Sequence, residues 1–236
     1  MDSPVLFVLA SGFGSRLRSV VSDVPKPLAP FQERPFLYFQ VKNWTNQGIR
    51  SFVFLLYNQS VKIIDFIESE RNGLFKSCEV NYLVEPQPMG TGGAITFAIQ
   101  QLKFQGAFLM TNADTWLGSG MNTIANSESQ IIAVVNVNEC GRYGSVQINE
   151  GYINLFKEKA ADSGAGWINA GLSKFDANIF DNWDGKPFYL EEVIFPYLSA
   201  KGKLQALKLD TVFIDIGVPT DYQLFCEWAN TKNLIS

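Results

Sequence analysis

The sequence predicts an α/β domain: helices packed around a doubly wound, Rossmann-like sheet, mixed but mainly parallel, with a smaller subregion attached. Three observations carry this. Short unbroken apolar runs, the first at Val5–Ala10, read as strands buried on both faces. Stretches of helical length alternate with those runs as far as Thr111. The chain has 236 residues, 47% of them apolar and 19 of them Phe, enough for one large core and too apolar for disorder.

The elements follow in order. The strand Val5–Ala10 runs into a glycine-bearing loop from Ser11 to Arg18. Residues Pro35 to Gln47 read as a helix around Phe36, Leu37, Phe39, Val41 and Trp44, with Gly48 as its stop. Ser51–Tyr57 is the second strand, and Ser60 is expected to cap a helix through Glu70. Glu79–Val84 is a strand, Thr91–Leu102 a helix and Ala107–Thr111 a strand. The second half is less regular. Ile131–Val137, Ser145–Ile148 and Ile153–Lys157 read as strands joined by short turns. A helix is expected over Leu190–Ala200, a strand over Thr211–Ile216 and a closing helix from Thr220. No linker, low-complexity segment or repeat divides the chain. The expectation is one domain over 1–236, whose parts 1–138 and 139–236 share one sheet.

Composition narrows the function. With 19 basic and 23 acidic residues the net charge is −4, which disfavours nucleic acid as a partner. Val5–Ala10 is too short to span a membrane and no basic residue precedes it, so a cytoplasmic protein with no membrane partner is expected. Histidine is absent, which removes imidazole bases and points any metal chemistry to carboxylates and a hard cation such as magnesium. Cys78, Cys140 and Cys226 are odd in number and far apart, and read as buried free thiols.

Gly12 and Gly14 directly follow a buried strand, so backbone N–H groups there can approach an anion closely. Arg16 adds a planar, always-charged phosphate donor. A dinucleotide-binding loop fails at Leu17, where its third glycine would stand, and no GK[ST] supports a P-loop. Lys26 lies between Pro25 and Pro27, which restrict its backbone and present the ammonium rigidly, as charge neutralisation in phosphoryl transfer requires. Taken alone, each segment could equally be a tight turn with solvated charges.

Together, Gly12-x-Gly14-Ser15-Arg16-Leu17 and Pro25-Lys26-Pro27-Leu28 closely resemble the signature of the sugar-phosphate nucleotidyltransferases. The segment from Arg18 to Pro27 is most similar to the D-glycero-D-manno-heptose 1-phosphate guanylyltransferases within that family. Gly90-Thr91-Gly92-Gly93-Ala94 resembles the family's base-framing stretch, and puts Glu85 to Gln87 where they could read a base edge. Asn112-Ala113-Asp114 and Asp215-Ile216-Gly217 resemble its two magnesium-binding motifs.

The resemblance implies a nucleotide-diphospho-sugar transferase fold. Residues 1–138 would bind nucleoside triphosphate and 139–236 a sugar 1-phosphate. Its nucleotide set is Leu9, Ala10, Ser11, Gly12, Gly14, Ser15, Arg16, Lys26, Glu85, Gln87, Gly90, Thr91, Asn112 and Asp114. Arg16, Lys26 and Asp114 would be catalytic, and Asp114 and Asp215 would hold Mg2+. The sugar-phosphate set comes from motifs similar to Y-G, F-x-E-K, N-x-G and L-E: Tyr143, Gly144, Glu158, Lys159, Asn169, Gly171 and Glu191. The reaction implied is transfer of a nucleoside monophosphate, with GTP and a heptose 1-phosphate as the expected substrates and a second copy of the chain as a candidate partner. A mannose 1-phosphate guanylyltransferase, an N-acetylmuramate 1-phosphate uridylyltransferase, a metal-dependent glycosyltransferase and a non-catalytic regulatory relative stay open.

Overall fold

Alternation along the first strand decides which layer each helix joins. In the computed structural model, which describes residues 4–17, 19–157, 164–232 and 234, β1 (Val5–Ala10) turns Leu6, Val8 and Ala10 to one face and Phe7 to the other. A small ribbon, β2 (Pro30–Phe31) and β3 (Arg34–Pro35), leads into α1 (Phe36–Asn46). Then come β4 (Ser51–Leu56), α2 (Ser60–Ser69), β5 (Glu79–Val84), α3 (Gly90–Leu102) and β6 (Ala107–Asn112). These four strands are parallel and ordered β5-β4-β1-β6, so β1 is flanked on both sides.

Three short elements follow: β7 (Thr115–Leu117), α4 (Met121–Ala125) and β8 (Ile131–Val137). The remaining elements are β9 (Ser145–Asn149), β10 (Tyr152–Lys157), β11 (Gly166–Asp176), α5 (Ile194–Ala200), β12 (Gln205–Leu209), β13 (Phe213–Asp215) and α6 (Pro219–Thr231). The main sheet has nine strands, β5-β4-β1-β6-β11-β8-β12-β10-β9. Beyond β6 only β12 beside β8 is parallel, so the sheet is mixed and its parallel strands concentrate in the first half.

One core joins α1, α2 and α4 to the face bearing Leu6, Val8 and Ala10. The second joins α3 and α5 to the face of Phe7. A third, aromatic cluster places Phe31, Phe36, Trp116, Ile214 and Phe225 between α1, β7, β13 and α6. Helix α1 therefore buries two faces, Leu37, Val41 and Trp44 against the sheet and Phe36 and Phe39 against that cluster.

Several boundaries differ from expectation for identifiable reasons. Ser60 is not a cap: the chain turns through Gln59 at φ 51°, which makes Ser60 the first helical residue. Helix α5 begins at Ile194 rather than Leu190. That places Pro196 in the first turn, where its missing N–H leaves no partner unpaired. Of the cysteines only Cys140 is buried; Cys78 and Cys226 are half-buried. Strand β11, the longest, was not legible in the sequence because Gly171 interrupts its alternation at φ 75°, where the pairing with β8 shifts register.

Candidate active site

The site forms where β1 and β6 end. The Ala113 N–H donates to the Leu9 carbonyl at 2.9 Å, which ties the exits of the two parallel strands together. Past Leu9 and Ala10, Ser11 to Gly14 form an open loop, and Ser15 and Arg16 lie in a short 3-10 turn with buried Leu17 as its anchor. Gly14 has φ 61°, and a Cβ there would stand 3.3 Å from the Lys26 Cβ, so the glycine loop and the Pro-Lys-Pro segment pack directly on each other.

Lys26 begins a second 3-10 turn after extended Pro25. Its Nζ lies 2.6 Å from Asp114 Oδ2, with the lysine side chain 12% exposed and the aspartate 30%. The rigid lysine thus presents its charge to a carboxylate that the sequence singled out separately.

Asp114 and Asp215 are brought together by the small β7–β13 sheet. Asp215 faces Thr115 in the antiparallel register, and the Ile216 N–H donates to the Asp114 carbonyl at 3.0 Å. Burial pushes the Asp215 carboxyl above the ordinary carboxylate range and the Asp114 charge raises it further; Lys26, the Gly217 N–H and Arg16 offset part of this. Among the described residues no cluster of three or more acidic, Cys or His side chains forms. Two hard oxygen donors, one of them destabilised as an anion, fit a divalent cation that takes its other ligands from substrate and water.

A cavity of about 870 Å³ opens beside this pair. Arg16, Asn112, Thr115 and Asp215 line it, as do Tyr143, Gly144, Asn169, Gly171 and Glu191. Gly171 is needed for this closure: a Cβ there would stand 2.8 Å from Asn112 Nδ2. Asn169 Oδ1 accepts the Gly171 N–H at 3.0 Å, which folds the two residues into one small turn. Glu158 and Lys159 lie outside the described residues. Arg142, Ser145, Phe156, Tyr189 and Glu192 also line the cavity and were not selected from the sequence. Arg142, beside Tyr143-Gly144, Phe156, in the F-x-E-K segment, and Glu192, directly after Leu190-Glu191, had a sequence signal. Arg142 forms an ion pair with Asp221 in the first turn of α6.

Of the residues expected to meet the base, Glu85 and Gln87 are not among those that line this cavity. Glu85 is buried; its Oε2 accepts the Met89 N–H at 3.0 Å, while Oε1 has no hydrogen-bond partner of good geometry. Burial raises the Glu85 carboxyl, and the Met89 N–H and the Ser11 hydroxyl offset this in part. Gln87 is exposed.

The glycines at the start of α3 meet a neighbour within the protein. The N–H groups of Gly92 and Gly93 both donate to the Phe188 carbonyl, at 3.0 and 3.2 Å, and the Phe188 N–H donates to Met89 O at 2.9 Å. These donors are therefore committed within the protein, and the close approach is to the segment carrying Phe188. At Gly90, with φ 70°, a Cβ would stand 2.4 Å from the Phe188 carbonyl oxygen. Gly90→Ala is expected to lower stability by more than about 1 kcal/mol, because both the backbone angle and the contact are lost. Urea unfolding would measure this; an unchanged midpoint would contradict the docking role.

Known proteins resemble this chain over nearly its full length. The family model described as "Nucleotidyl transferase" matches residues 5–227. A D-glycero-alpha-D-manno-heptose 1-phosphate guanylyltransferase of Campylobacter jejuni is 31% identical over 219 residues, covering 92% of this chain and 96% of the relative. The protein of that description from Aneurinibacillus thermoaerophilus is 30% identical over 222 residues, covering 92% and 94%. The crystal structure of HddC from Yersinia pseudotuberculosis complexed with GMP-PN superposes with a TM-score of 0.83 at 30% identity, covering 95% of this chain and 99% of that one.

Proposed function

The chain belongs to the nucleotidyl transferase family and is an enzyme of that class, and on that premise we propose that it transfers GMP from GTP to D-glycero-α-D-manno-heptose 1-phosphate. The observation that carries this reading is one cavity lined both by Arg16, Asn112 and Asp215 and by Tyr143, Asn169 and Glu191. Two substrates can meet there without a covalent enzyme intermediate. Residues 1–138 would take the nucleotide and 139–236 the sugar phosphate, on their shared sheet.

In the proposed reaction an oxygen of the sugar phosphate attacks the α-phosphorus of GTP. The new bond joins the two phosphates, and the bond to the β-phosphate breaks and releases pyrophosphate. The attacking oxygen is already anionic, so no protein base is required, in keeping with a chain that has no histidine. Asp114 and Asp215 would hold Mg2+, which when bound would supply positive charge to offset that of the phosphates. Lys26 keeps Asp114 oriented through its 2.6 Å contact and adds charge next to the triphosphate. Arg16 faces the charge that grows as pyrophosphate leaves. Glu158 and Lys159 would meet the sugar hydroxyls and its phosphate. We place the reaction in the cytoplasm, where GTP is available; among the described residues no helix is long and apolar enough to cross a membrane.

The test is pyrophosphate release from each of four nucleoside triphosphates paired with several sugar 1-phosphates. GTP with the heptose 1-phosphate should have the highest kcat/KM. Equal or better use of UTP or CTP would remove guanine from the proposal, and no release with any pair would remove the proposal itself.

Arg16→Gln is expected to lower kcat about tenfold or more with a smaller change in the nucleotide KM, because its partner charge appears mainly in the transition state. Steady-state kinetics would decide; a change in KM alone would make Arg16 a uniform binding residue.

A further inference from the structure

We infer that Thr91 is a positioning residue for the acceptor, its hydroxyl holding the Glu191 carboxylate at the wall of the cavity. This rests on the proposed function, in which Glu191 meets the sugar, and assigns to the first turn of α3 a role on the opposite substrate from the one its glycine-rich sequence suggests.

The Thr91 Oγ1 donates to Glu191 Oε2 at 2.9 Å and accepts the Leu190 N–H at 2.9 Å. A hydroxyl has one hydrogen to give, and this one is given to Glu191. The surrounding backbone acts in the same direction. Phe188 is clasped from both sides, its carbonyl by Gly92 and Gly93 and its N–H by Met89. The bare α-carbon of Gly92 admits the Phe188 ring, since a Cβ there would stand 2.1 Å from ring atom Cε2. The segment from Phe188 to Glu191 is thus suspended from the end of α3, and Glu191 and Tyr189 line the cavity. Glu191 is itself exposed, so without a fixed partner its carboxylate would sample several rotamers. The Thr91 hydroxyl selects one of them before the sugar arrives, which lowers the ordering cost of binding.

The test compares Thr91→Val, which keeps the shape and removes the hydroxyl, with Thr91→Ser, which keeps the hydroxyl. Thr91→Val should raise the KM for sugar 1-phosphate about fivefold, the effect of one partly exposed hydrogen bond to a charge, and leave the KM for nucleotide within about twofold. Thr91→Ser should restore the wild-type value. On a Glu191→Gln background Thr91→Val should add little, since both changes break one interaction. A larger effect on nucleotide than on acceptor, failure of serine to rescue, or full additivity with Glu191→Gln would each overturn the inference. Hydrogen exchange at the Leu190 amide separates this inference from the proposed reaction, because it needs no turnover. Exchange should be faster in Thr91→Val than in Thr91→Ser or wild type, and equal rates would overturn the positioning role even if every substrate assignment held.

Discussion

Asp215→Asn is expected to reduce turnover about a thousandfold, the several kcal/mol that metal-borne charge stabilisation contributes to such a barrier. Asp114→Asn should do the same. Their stabilities should differ. The Asp215 carboxyl is raised by burial and by the Asp114 charge, so its neutral form favours the folded state. That contribution is present at low pH and is lost as the pH rises through the raised folded value. At neutral pH the wild-type chain therefore carries a charge penalty that asparagine lacks, and metal-free Asp215→Asn should melt higher than metal-free wild type. Asp114→Asn also relieves the repulsion on Asp215, but it strips Lys26 of its 2.6 Å partner, so it should melt no higher than wild type. Pyrophosphate assays with and without a chelator, together with thermal melts of the metal-free proteins, measure both effects. Near-normal cation-dependent activity in either variant would end the two-carboxylate assignment.

Phe225→Ala should cost about 3–5 kcal/mol of stability, the range for removing a buried aromatic ring. Phe225 is 0% exposed, and its ring centroid lies 4.6 Å from Phe36, 5.6 Å from Phe31 and 5.7 Å from Trp116. It joins α6 to α1 and to β7, the strand against which β13 carries Asp215. Loosening this cluster should also disturb the register of the carboxylates, so activity should fall more steeply with temperature than in wild type. Urea unfolding and activity measured across a temperature series are the checks. A loss below about 1 kcal/mol would mean that the cavity closes and that the cluster does not hold the helix.

The first half of the fold was legible because its signals are local. A strand buried on both faces has an unbroken apolar run, and Val5–Ala10, Phe52–Leu56 and Phe108–Met110 show that pattern without help from distant residues. The second half was less legible because its pairings are long-range and irregular. Strand β11 contains Asn169 and Gly171 where alternation would call for packed side chains, and it pairs with β6, β8 and β9 along different portions of its length. The candidate site divides in the same way. Gly14, Lys26 and Asp114 stand out by residue type and spacing, whereas Ser145 and Tyr189 are unremarkable in sequence and reach the cavity only through packing.

By itself the sequence determined the alternation of parallel strands and helices, the glycine loop after β1, the constrained lysine and the resemblance to nucleotidyltransferases. Each depends on chemistry within a few residues: apolar runs, bare α-carbons, proline-fixed backbone. Only the tertiary structure decided that Lys26 pairs with Asp114, that β13 pairs with β7 outside the main sheet and sets Asp215 beside it, and that the first turn of α3 carries Phe188. A buried carboxylate or a row of free N–H groups can be satisfied by any partner of suitable charge and reach. The partner that fills the role is chosen by which distant segment the packed layers bring within hydrogen-bonding distance.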